Sequence, residues 1–164
     1  METTTSSTTA QIIDKDQLLT HWLGHRKVTR RTLEAFPEKD LFEFSIGGMR
    51  TFAQLTKELL AMDGPTAKGL ATDEWEAFDE EKTELTTKAA LLSAYDDATS
   101  TIEKYWKAIT MEKFQEKVVA FGQYEGTGYS TLFYIIDNET HHRAQGFVYL
   151  RALGITPPNF WEQY

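Results

Sequence analysis

Cysteine is absent from this chain, which excludes disulfides, thiolate metal sites and a cysteine nucleophile. That absence fits a cytoplasmic protein. Basic residues are scarce as well: 17 Lys and Arg stand against 25 Asp and Glu, a formal charge of −8. A nucleic-acid partner is not expected, because phosphate binding needs a basic face that releases counterions. No stretch approaches the roughly 18 consecutive apolar residues of a membrane span, so no membrane partner is expected either. The first ten residues carry neither the basic start nor the apolar core of a signal peptide. Their Thr and Ser content predicts a flexible arm over 1–12, leaving one domain over 13–164. A chain of 164 residues, 41% hydrophobic and 26% charged, has enough material for one buried core.

Proline is rare too, with four residues, and each marks a boundary in the pattern. Asp14 and Asp16 are placed to cap a first helix that Phe36-Pro37 stops near Ala35. Its stripe runs Leu19, Trp22, Arg26, Thr29, Leu33. The polar members face a polar pocket, or else the helix is rotated a little from this reading. Phe42 to Gly48 alternates briefly and turns at Gly47-Gly48, a loop or short extended piece. A second helix is expected from Arg50 to Asp63-Gly64-Pro65, burying Phe52, Leu55, Leu59 and Met62. Residues 64–82 then read as a long acidic connection: either a solvated charge run with Trp75 and Phe78 as aromatic anchors, or a segment those two pin over the mouth of the bundle.

The third helix has the cleanest period, with Leu91, Tyr95, Ala98, Ile102, Tyr105 and Ile109 on one face. Met111–Gly126 leaves a short helix or an extended stretch open around Phe114, Val118, Val119 and Phe121. Gly126 to Ser130 offers caps for a fourth helix that Leu153-Gly154 ends and Pro157-Pro158 keeps from resuming. Four helices with two longer connections predict an all-α, antiparallel four-helix bundle. On the fourth helix Leu132, Ile136, Phe147 and Leu150 form the apolar stripe. Asn138 and His142, four apart, lie one above the other at its flank. His141 points further towards solvent.

The string Asp137 to Pro158, with His-His-Arg-Ala-Gln intact at 141–145, resembles the last helix of the DinB/YfiT-like family. Arg30 to Pro37, the Met49-Arg50-Thr51-Phe52 entry and Leu153 to Glu162 extend the resemblance over most of the chain. The family consists of four-helix bundles that often bind a divalent metal through three histidines and commonly form homodimers. The resemblance places its ligand positions at Glu58, Asn138 and His142, so only one of three is the family's residue. It implies an altered pocket for a divalent metal, zinc or nickel, in which Asn138 is a weak ligand.

Two functions follow as expectations. The first is a metal-dependent hydrolase or thiol transferase, with the metal as Lewis acid. The second is a non-catalytic bundle that binds a small molecule or a partner, with Glu58, Asn138 and His142 hydrogen-bonded to one another. In that cluster a buried carboxylate would favour a charged histidine. His21 and His25 share the four-residue spacing, but read as a solvated pair. Asp96-Asp97 reads as a surface pair, and Arg143 as either a carboxylate partner or a surface charge. Phe160, Trp161 and Tyr164 cap the bundle or serve a dimer surface.

Overall fold

A computed structural model describes residues 12–164. The arm expected over 1–12 therefore lies outside the described residues, apart from Ile12. Helix α1, Lys15–Ala35, opens with a capping box: Gln17 N–H donates to Asp14 (2.8 Å), and Asp14 N–H to Gln17 Oε1 (2.9 Å). It stops at Phe36, as Pro37 dictates. Pro37 then stands at the start of a short helix, α2 (Glu38–Glu43), which absorbs part of the segment expected to be extended. Gly47 and Gly48, both at positive φ, turn the chain into the next helix.

Helix α3 spans Phe52–Thr72, capped by Thr51 with Gln54. It runs straight through Asp63-Gly64-Pro65, which corrects the expected stop. Proline removes one backbone donor from a helix interior and costs about 3 kcal/mol there. On either side of it, however, Leu59, Leu60, Met62 and Leu70 are all buried, and each large apolar side chain so buried returns about 1.5–3 kcal/mol. Tertiary packing outweighs the local break, and the acidic connection starts at Asp73 rather than at residue 64.

Helix α4 spans Lys88–Trp106 and ends before Ile109, which is nevertheless buried beyond the helix. A single 3-10 turn, Glu112–Phe114, precedes an antiparallel hairpin of β1 (Lys117–Ala120) and β2 (Tyr124–Thr127), paired Lys117 with Thr127 and Ala120 with Tyr124. The ambiguous stretch is thus extended, with Val118 and Ala120 inward and Val119 outward. Thr127 caps α5, Gly128–Ala152.

The four long helices close a ring in the order α1, α4, α3, α5. Their interior holds two apolar clusters. One gathers Trp22, Met62, Leu70, Ile102, Trp106 and Ile136; the other gathers Leu33, Phe36, Phe52, Leu55, Leu91 and Tyr149. Between them lies a layer of buried polar side chains, Arg26, Thr29, Asp63, Glu139 and Arg143. The polar members of the first-helix stripe are this layer, so the helix needs no rotation. Among the described residues, no helix is long and apolar enough to cross a membrane.

Candidate functional site

Glu58 on α3 and Asn138 and His142 on α5 do converge. Asn138 Nδ2 donates to Glu58 Oε1 at 3.2 Å, and His142 Nε2 lies 3.1 Å from the same oxygen. The sequence-based reading missed the fourth member. Arg50, just ahead of α3, places its guanidinium 2.5 Å from Glu58 Oε2 and 3.1 Å from Glu80. The His142 contact and then Arg50 and Asn138 hold the Glu58 carboxyl at about 2, against a burial effect of opposite sign. His142 is buried; its Nδ1 has no partner and its Nε2, though 3.1 Å from Glu58, lies outside hydrogen-bond geometry, whereas His141 is exposed and meets Gln145 at 2.8 Å. The two histidines therefore point as their helical rotation predicted.

This donor set suits a divalent cation poorly. A metal needs lone pairs, yet both Glu58 oxygens already face N–H groups and a guanidinium cation stands where a second cation would compete. Asn138 presents its NH2 to the cluster, and an amide offers a metal only its oxygen. Among the described residues, no group of three His, Cys, Asp or Glu side chains is placed to hold a metal.

Beside the cluster opens a cleft of about 540 Å³. Met62, Ala120 and Ile135 give it an apolar floor, and Phe78, Phe121, Tyr124 and Tyr134 give it aromatic walls. Glu58, Glu80 and Glu125 are its charged lining. The acidic connection contributes Phe78 and Glu80 to the lining, the second of the two readings its sequence allowed. Trp75 and Phe78 pack edge-on against Phe121 at ring separations of 5.6 and 5.9 Å. Phe121 adopts φ 55°, a left-handed conformation unfavourable for a bulky residue, and these ring contacts hold it there. The hairpin wall was not foreseeable, because it depends on pairing between residues whose individual propensities were indecisive.

The buried layer is a second polar system. Arg26 pairs with Asp63, donates from Nε to Thr99 Oγ1 (2.8 Å) and from Nη2 to the Tyr95 carbonyl (3.0 Å), and lies 3.7 Å from Glu139. Its guanidinium stacks 4.0 Å from the Tyr95 ring centre. Tyr95 donates its hydroxyl to Glu139. Burial raises the Asp63 carboxyl to about 8, with Glu139 adding to the effect and Arg26 opposing it. The signal for this layer was present in Arg26 and Thr29 inside an apolar stripe.

The other histidine pair departs from its expected solvation. His25 is buried, and Arg143, buried as well, donates to its carbonyl (2.9 Å) and to its Nδ1 (3.1 Å). An Nδ1 that accepts leaves the proton on Nε2. His25 then donates to His21 Nε2 (3.2 Å), and His21 Nδ1 to the Tyr164 hydroxyl (2.7 Å). Burial, then the Arg143 and His21 charges, bring His25 down to about 4. Arg143 is thus an interior donor rather than a surface charge. Asp96 makes the surface ion pair with Arg30 at 2.6 Å.

The DinB family profile matches residues 1–163. Among solved structures, a DinB-like protein from Bacillus cereus superposes with a TM-score of 0.72 at 16% identity, covering 88% of this chain and 95% of its own. A DinB-like protein from Bacillus subtilis gives 0.67 at 22% identity, covering 88% and 96%. The mycothiol-dependent maleylpyruvate isomerase gives 0.59 at 13% identity, covering 81% of this chain and 60% of the enzyme. Among curated proteins, none matches the sequence.

Proposed function

The chain belongs to the DinB family, and we propose that within it this protein is a small-ligand-binding bundle whose family metal position has become a closed hydrogen-bonded cluster. The observation that carries this reading is the pairing of both Glu58 oxygens, one hydrogen-bonded by Asn138 with His142 Nε2 3.1 Å away and the other held by Arg50. The adjoining cleft, apolar below and aromatic at its sides, supplies the volume for a small molecule. Exposed Tyr129, Phe133, Phe160 and Trp161 favour a homodimer, since large apolar side chains left in water are covered at low cost by a second copy.

The competing reading is a metal-dependent hydrolase or thiol transferase, and the convergence of Glu58, Asn138 and His142 favours it. The fold shared with a thiol-dependent isomerase points the same way. It requires Arg50 to leave Glu58 and Asn138 to turn its carbonyl oxygen inward, after which Glu58 and His142 would hold the ion.

Metal analysis of untagged protein, purified without chelator and dialysed against zinc or nickel, separates the two. The expected content is below about a tenth of an ion per chain, the level of adventitious binding at a site without free lone pairs. One ion per chain that Glu58→Ala removes and His21→Ala retains would overturn the proposal in favour of the metal-dependent reading.

A further inference from the structure

Resting on the reading of the cleft as a ligand site, we infer that its ligand is an organic cation, an amine or quaternary ammonium carried on an apolar or aromatic body. Glu58, Glu80 and Glu125 line the cleft and, among the described residues, no lysine or arginine does. Arg50 is turned into Glu58 and Glu80, and His142 meets Glu58 as well, so Glu58 is already paired and the charge left for a ligand is that of Glu125 and, in part, Glu80. An anionic ligand would enter a cleft with uncompensated charge of its own sign. A cationic one gains that charge directly, and the low-dielectric floor of Met62, Ala120 and Ile135 strengthens the attraction.

The walls point to the same class. Phe78 and Phe121, packed on one another, line the inner part of the cleft, while Tyr124 and Tyr134 on its lining are more than half exposed. Ring faces carry the negative part of the aromatic quadrupole and attract cations, most strongly where water is excluded. Carboxylates alone would suit a hydrated metal ion. Carboxylates combined with aromatic walls and an apolar floor suit a positive head on a greasy body. The chain's net charge of −8 works in the same direction, drawing cations in from solution.

Three probes with one aromatic body and different charge test this: phenethylammonium, 2-phenylethanol and phenylacetate, titrated into the full chain at low salt and followed by amide and side-chain NMR shifts. Phenethylammonium should bind about tenfold tighter than the alcohol, with phenylacetate weakest, a preference that salt screening erodes. The shifts should map to Phe78, Phe121 and Tyr134. Glu80→Gln combined with Glu125→Gln should bring the amine down to the affinity of the alcohol and leave alcohol binding unchanged. Equal binding of amine and alcohol in the cleft overturns the cation assignment while the ligand-site reading stands. Tighter binding of phenylacetate overturns it in the same way. If none of the three shifts the cleft residues, both readings fall.

Discussion

The buried layer makes a demanding prediction through Arg26→Met. Arg26 is 1% exposed and is, among the described residues, the one cation paired with Asp63, which is fully buried beside Glu139. Methionine fills much of the volume and satisfies none of the partners. Above about pH 8, where Asp63 ionises, removing its partner leaves an uncompensated buried charge, a loss of about 3–5 kcal/mol; at lower pH the carboxyl is protonated and the variant loses mainly the guanidinium's hydrogen bonds, a smaller cost. For a domain of this size about 1 kcal/mol moves the melting temperature by roughly 2–4 °C, so a fall of about 6–20 °C is the upper range, reached at high pH. The loss depends on pH in a stated direction. A carboxyl whose folded value lies at about 8 against an ordinary 3.8 contributes stability that is present at low pH and lost as pH rises through 8. Without Arg26 the folded value moves higher still and the window of loss extends upward, so Arg26→Met should cost more at pH 8.5 than at pH 5. Thermal and urea melts followed by circular dichroism at both pH values measure it. Adding Asp63→Leu should recover much of the loss, since an apolar pair in place of a buried ion pair is often neutral. A change below about 1 kcal/mol at both pH values would refute the reasoning, because it would mean the layer is hydrated or already uncharged.

Two further outcomes are expected. His25 favours its neutral form in the fold, at about 4 against 6.5, so its contribution to stability is complete above 6.5 and is lost as pH falls towards 4; the gap in melting temperature between the parent and His25→Gln should shrink over that window, and a constant gap would contradict the relay through Arg143, His21 and Tyr164. Gly146→Ala should destabilise by about 1–3 kcal/mol through overpacking, because a Cβ there would come 2.5 Å from the ring of Phe52, itself buried and stacked on Phe36 at 4.8 Å; an unchanged unfolding midpoint in urea would show that the α3–α5 contact can yield.

Much of the fold was legible because its signals are local. Asp14, Thr51 and Thr127 each sit where a side-chain oxygen can meet the third N–H beyond, and a helix begins at each. Pro37 and Gly154 end helices through their own backbone restrictions. Rotation about one helix axis was enough to turn His142 inward and His141 outward. Pro65 misled for a related reason: its local cost is real, but it is smaller than the burial gained on either side of it. The hairpin was undecided because strand pairing is a property of two segments and neither carries it alone.

For the candidate site, the chain alone determined the helix-four face, the acidic, cysteine-free chemistry and the family positions Glu58, Asn138 and His142. Tertiary structure decided what those residues are doing. It brought Arg50 onto Glu58, laid Phe78 and Phe121 across the cleft, and carried Asp63 into contact with Arg26, 37 positions away. The reason is physical. Periodicity states which way a side chain points, whereas its charge state and its partners depend on what other segments place within a few ångströms, and those distances exist only once the bundle has closed.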